Sequence, residues 1–186
     1  RRGSWIVVLL LLASVAAFAE DPAPSAADPA APPRGAELLA PFKVQLMEAL
    51  RAGLEQGPAE AISACQMRAP EIASALSRDG VSMGRSSHRL RNPANVAPAW
   101  VAPILAAYVA DATDRSPRTL TLDDGRAGYV EPIVVAPMCV TCHGKTLAPE
   151  VAARIHELYP DDAATGFEVG DLRGVFWVAY PADPAP

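Results

Sequence analysis

Five residues, Cys139-Val140-Thr141-Cys142-His143, constrain this chain more than any other feature. A Cys-x-x-Cys-His run suits covalent attachment of haem: the two thiols add to the two vinyl groups, and the next residue gives iron an imidazole from one face. The run predicts one haem c held through Cys139 and Cys142, with His143 as an iron ligand. Other uses of the pair fit less well. A thioredoxin-like redox disulfide belongs early in a βαβ unit, which the pattern along the chain lacks. Zinc wants four ligands, against three cysteines and three histidines with no second paired set. A disulfide between Cys139 and Cys142 would close too small a loop to contribute much.

Covalent haem attachment in bacteria takes place outside the cytoplasm, and the first residues carry an export pattern. Arg1 and Arg2 precede an apolar run from Trp5 to Phe18, and Ala17 and Ala19 put small residues where a signal peptidase reads. The run is short of the roughly 20 residues that span a bilayer. Residues 1–19 are therefore expected to be a signal peptide cleaved near Ala19, giving a periplasmic protein with no stable membrane insertion; a retained anchor is the alternative. Cleavage leaves fourteen basic against twenty-one acidic residues, a net charge of −7, which argues against a nucleic-acid partner. The odd cysteine, Cys65, then needs a fate in an oxidising compartment: burial, a bond to another chain, or a metal.

Residues 20–35 are Pro, Ala, Ser and Asp with little to bury, and read as a solvated tether. A folded domain is expected over 36–182. Leu39, Phe42, Leu46, Leu50 and Leu54 repeat at helical spacing, which predicts a first helix ending between Gly53 and Gly57, with Pro41 in its first turns. Ile62, Cys65, Ala69, Ile72 and Leu76 predict a second helical stretch from Pro58 to about Arg78, divided at Pro70 and aiming Cys65 at the core. Residues 81–99 show no period and read as a long ordered loop. A third helix follows around Trp100 to Val109, confined by Pro103. Thr119–Leu122, Asp123-Asp124-Gly125 and Ala127–Val135 read as strand, turn and strand; a helix over Pro149–Leu158 and a strand over Val175–Tyr180 complete the domain. Helices first and a small antiparallel sheet later predict an α+β domain.

By chemistry, the candidates for a second iron ligand are Cys65, His88, His156, Met47, Met67 and Met83; Met138 adjoins the attachment site and cannot reach the opposite face. Cys65 combines a core-facing helical position with the need for a fate, but a small buried thiol that only packs explains the residue equally well. Arg85, Arg91 and Arg173 suit the carboxylates of haem. They could as well order the loop through carbonyls and acids such as Asp171.

Several motifs recur in one order: Cys65 with Ala69-Pro70, Gly84-Arg85-Ser86-Ser87, Arg91-Asn92-Pro93-Ala94-Asn95, Pro132-Ile133, the haem motif with Gly144, Tyr159-Pro160-Asp161, and Gly170-Asp171-Leu172-Arg173-Gly174. Together they resemble a domain-of-unknown-function family of exported c-type haem domains with a PAS-like fold, over roughly Leu38 to Tyr180. The resemblance implies iron held by His143 and by the upstream helix cysteine, Cys65, and it implies company with signalling proteins, since members are often joined to histidine kinases or chemoreceptors. His88 departs from it, standing where the family usually has an apolar or basic residue.

Two protein ligands would fill the iron's coordination and favour Fe(III) at low potential. The expected function is redox or gas sensing, or single-electron transfer, with a redox or signalling protein as partner and small gases as ligands of an opened site. A small peroxidase-like haem enzyme with a displaceable sixth ligand is the alternative, with His88 or His156 as its acid–base group.

Overall fold

The computed structural model describes residues 33–111 and 113–182; the expected signal peptide and most of the expected tether lie outside the described residues. Helix α1 spans Arg34–Gln56 and α2 spans Pro58–Leu76, with Gly57 alone between them. Gly57 takes φ +136°, a conformation that side chains disfavour, and so permits the reversal. A Cβ on Gly53 would lie 2.7 Å from the Ala61 Cα, so the helices meet nearly backbone to backbone. Helix α1 begins at Arg34, slightly before the position 36 where the sequence places the first residues of the domain.

Both prolines behave differently from expectation. Pro41 lies well inside α1, and α2 runs through Pro70 as one helix instead of dividing there. Pro70 is exposed, so the carbonyl deprived of its amide partner can turn to water. The stripe of Ile62, Ala69 and Ile72 is buried on both sides of it, and this packing holds the two halves in line against the local penalty of proline.

Four strands form one antiparallel sheet: β1 (Ser82–Ser86), β2 (Arg118–Thr121), β3 (Ala127–Val134) and β4 (Leu172–Tyr180), in the order β1-β4-β3-β2. The β2–β3 hairpin turns at Asp123-Asp124-Gly125, as the sequence predicts, with Gly125 at φ +81°. Strand β1 occupies part of the stretch read as loop. It is an edge strand paired only with β4 and gives the core a single large apolar side chain, Met83, so its sequence lacks the alternation that marks a strand. Beyond it the expected irregular path holds, with a 3-10 turn at Pro93–Asn95.

One face of the sheet packs on α1 and α2, where Met83, Tyr129, Val178 and Tyr180 meet Leu39, Phe42 and Ile72. The other packs on α3 (Ala102–Ala110), whose Leu105 and Tyr108 join Val101, Val130, Leu172 and Val175. Helix α5 (Pro149–Leu158) lies against the first half of α2, with Ile62 buried among Val151, Ile155 and Tyr159. The α+β expectation holds at this level: helices cover a small antiparallel sheet.

Gly174 fixes the contact between β1 and β4. Its φ is +157°, and a Cβ there would meet the Ser86 carbonyl oxygen at 2.2 Å. Gly174→Ala adds a clash against rigid backbone to conformational strain, and should destabilise the domain by about 2–4 kcal/mol. Urea denaturation checks this; an unchanged midpoint would contradict the packing at β1.

Candidate functional site

Beyond β3 the chain passes through a 3-10 turn at Pro137–Cys139 into a one-turn helix, α4 (Val140–His143). The turn and helix present Cys139, Cys142 and His143 together, and none of the three cysteines is in a disulfide. Cys142 packs with the α2–α5 cluster of Ile62, Val151, Ile155 and Tyr159. Cys139 packs with a separate group, Val135, Ala164 and Phe167. A Cβ on Gly144 would lie 2.5 Å from the Val140 carbonyl oxygen, so glycine lets the chain leave α4 directly after the histidine.

His143 is fastened at several points. Its Nδ1 lies 2.6 Å from the Ala164 carbonyl oxygen. A carbonyl can only accept, so Nδ1 carries the proton and Nε2 keeps its lone pair. The His143 carbonyl accepts from the Phe167 amide and the Gly144 carbonyl from the Gly166 amide, both at 2.9 Å. The Phe167 ring stands edge-on to the imidazole at 6.4 Å. Burial, followed by the charges of Arg173 and Arg91, pulls the imidazole pKa down to about 3. The result is a neutral, oriented imidazole with one nitrogen available as a donor to metal.

This has a consequence for acid stability. An unfolded imidazole titrates near about 6.5, whereas His143 stays neutral down to about 3 in the fold. The unfolded chain takes up this proton first, so the His143 contribution is complete above about pH 7 and is lost as pH falls from about 6.5 towards 3. Urea midpoints of the haem-free chain should decline across that window. A midpoint flat down to about pH 4 would contradict a buried neutral ring.

Cys65 sits on the buried stripe of α2, between Ile62, which faces α5, and Ile72, which faces the sheet. Burial raises its pKa, and the charges of Arg85 and Arg91 oppose that rise. Its own charge acts on Cys142, which places the two sulfurs in one neighbourhood. The other candidate ligands are elsewhere. Met83 belongs to the core between sheet and α1, Met67 is 60% exposed, and His156 is exposed on α5. His88 is exposed too, edge-on to Phe167 at 6.1 Å, and borders a surface cleft of about 320 Å³ with Arg89 and Arg115.

The three arginines divide. Arg91 pairs with Asp162 through Nε at 2.9 Å, and its Nη2 donates to the carbonyls of Cys142 at 2.7 Å and Ala164 at 3.3 Å. It therefore orders the loop, clamping α4 to the segment after α5. Arg173 donates from Nη1 to the Ser87 hydroxyl at 2.7 Å and the Arg89 carbonyl at 3.2 Å, while its Nε is buried without a hydrogen-bond partner among the described residues. Asp171 is engaged with the Glu168 amide instead. Arg85, half-buried on β1, makes no hydrogen bond or ion pair with a described residue. Burial lowers its pKa, and the nearby Cys65 and Tyr159 counter that.

The sequence reading missed Asp162, Ala164 and Phe167. Asp162 follows directly on Tyr159-Pro160-Asp161, one of the quoted motifs; Ala164 acts through its carbonyl, which leaves no side-chain signal. Among the described residues, no three of His, Cys, Asp and Glu converge as ligands for a bare metal ion.

A family model described as Tll0287-like matches residues 32–181. Among solved structures, that of the cyanobacterial heme protein Tll0287 is similar to this chain, with a TM-score of 0.52 and 27% identity over 77% of this chain and 95% of that one. No curated protein matches this chain.

Proposed function

This chain belongs to the Tll0287-like family, and from that premise we propose that it binds haem, as a monohaem c-type protein of PAS-like fold working in the periplasm by single-electron transfer or by sensing redox state or gases. The observation that carries the reading is the Nδ1 bond of His143 to Ala164. It fixes the tautomer in which Nε2 can bind iron, one residue after the thiols that would form thioethers. Three further features fit the group: Cys139 and Cys142 on either side of one turn, Cys65 on the facing helix, and guanidinium groups without carboxylate partners. A macrocycle supplies four of the iron's donors, so a site with only one or two protein ligands suffices.

In this reading Cys139 and Cys142 would hold the porphyrin, and His143 and Cys65 would bind its iron. Haem bound there supplies a one-electron Fe(III)/Fe(II) couple. The chain's own residues set how that couple behaves. The segment 164–167 keeps the imidazole neutral and oriented, and an anionic Cys65 sulfur favours the oxidised state. Because burial raises the Cys65 pKa, the free thiol holds its proton, so Cys65 would be the more readily displaced of the two iron ligands, by carbon monoxide or nitric oxide among others. His88 and His156 are both exposed, whereas a distal acid–base group works from a water-excluded site, which favours a carrier or sensor over peroxidase-like turnover. Export rests on the pattern of residues 1–19; among the described residues no helix is long and apolar enough to cross a membrane. A redox or signalling protein is the proposed partner.

Electron paramagnetic resonance of the oxidised protein beside its Cys65→Ser variant tests the ligand set. The unaltered protein should give a low-spin thiolate-type signal that the variant loses. A signal that survives the substitution would remove Cys65 from the iron.

A further inference from the structure

The site gathers more positive charge than the protein neutralises. Arg85, Arg91 and Arg173 lie close enough that Arg91 lowers the pKa of Arg85, and both lower that of Arg173. Asp162 is the one carboxylate paired with this group among the described residues, and it belongs to Arg91, with side-chain exposures of 7% and 12%. Arg85 extends from β1 on the same face as Met83, the face that meets α2, and has no hydrogen bond or ion pair with a described residue. Arg173 is held at Nη1, yet its Nε is buried and orphaned. Both side chains are half-buried; a buried guanidinium nitrogen with no acceptor, and a second guanidinium beside it with no counter-charge, are costly to hold in a fold and point to an occupant bringing negative charge.

We propose that Arg85 and Arg173 anchor the two propionate carboxylates of the haem, while Arg91 is part of the protein framework. The assignment rests on the haem reading above. Charge arithmetic supports the number: ferric iron in a porphyrin dianion has one net positive charge, which a Cys65 thiolate cancels, leaving two propionates to face two unpaired guanidiniums. The chemistry supports the residue type, because a guanidinium offers parallel N–H donors that match a carboxylate. The orphaned Nε of Arg173 would then gain the acceptor it lacks.

The test labels the haem carboxyls with carbon-13, by feeding a labelled haem precursor to cells with haem-maturation machinery, and follows them by NMR titration of the reduced holoprotein. In the unaltered protein both carboxyls should stay ionised below the ordinary carboxylate range. Arg85→Gln should raise the titration of one resonance and Arg173→Gln that of the other, with Lys at either position restoring much of the lowering. Arg115→Gln, a control whose guanidinium bonds the Asp114 and Gly170 carbonyls, should move neither. Both resonances titrating at the ordinary carboxylate value in the unaltered protein would overturn the assignment, whether or not any variant folds. A colourless unaltered protein would overturn the haem reading and this assignment with it; a coloured one with unperturbed carboxyls overturns the assignment alone.

Discussion

Arg91→Met is expected to lower the unfolding free energy of the holoprotein by about 3–5 kcal/mol, because it strips a buried carboxylate of its partner. Asp162 is 7% exposed and its Oδ1 also accepts the Ala164 amide at 3.1 Å, so the orphaned charge cannot turn to water without dragging the segment that positions His143. The same substitution frees the Cys142 and Ala164 carbonyls. Guanidinium chloride titration reads the loss directly. The double variant Arg91→Met with Asp162→Leu should recover part of it, since an apolar pair avoids the unpaired charge. A single variant as stable as the parent would show that the clamp is not formed.

His143→Ala is expected to have the largest spectroscopic effect. Both thioethers remain, so the protein stays coloured, but the imidazole is lost and the low-spin spectrum should convert to a high-spin or altered form. Free imidazole should restore much of the original spectrum, since the Ala164 carbonyl and the Phe167 edge that hold His143 persist around the vacated space. An unchanged low-spin spectrum in the variant would place the ligand elsewhere.

Local signals predicted much of this architecture. Helix α5 begins at a proline in its first turn and ends where the sequence suggests, and the Asp-Asp-Gly turn between β2 and β3 needs no tertiary help. Features decided by packing were not legible. Nothing in Ser-Met-Gly-Arg-Ser announces an edge strand until β4 lies beside it. The passage of α2 through Pro70 depends on Ile62 and Ile72 being buried in two separate clusters. The site divides the same way. The cysteine motif, Cys65 and the arginines were visible as residue types, because thiols, imidazoles and guanidiniums have few uses in such a pattern. Which arginine was already committed was not visible, since that depends on Asp162, more than seventy positions away in the chain. The fastening of His143 by a backbone carbonyl has no sequence signature at all.

The central claim is that Cys139 and Cys142 bond covalently to haem while His143 binds its iron. Intact-mass spectrometry of the denatured protein, purified from a host with haem-maturation machinery, measures the first half of that claim with no assumption about fold or function. The polypeptide should run heavier by one haem and stay coloured through a denaturing gel, and Cys139→Ala combined with Cys142→Ala should lose both properties. A colourless band at the bare polypeptide mass would contradict the account at its root.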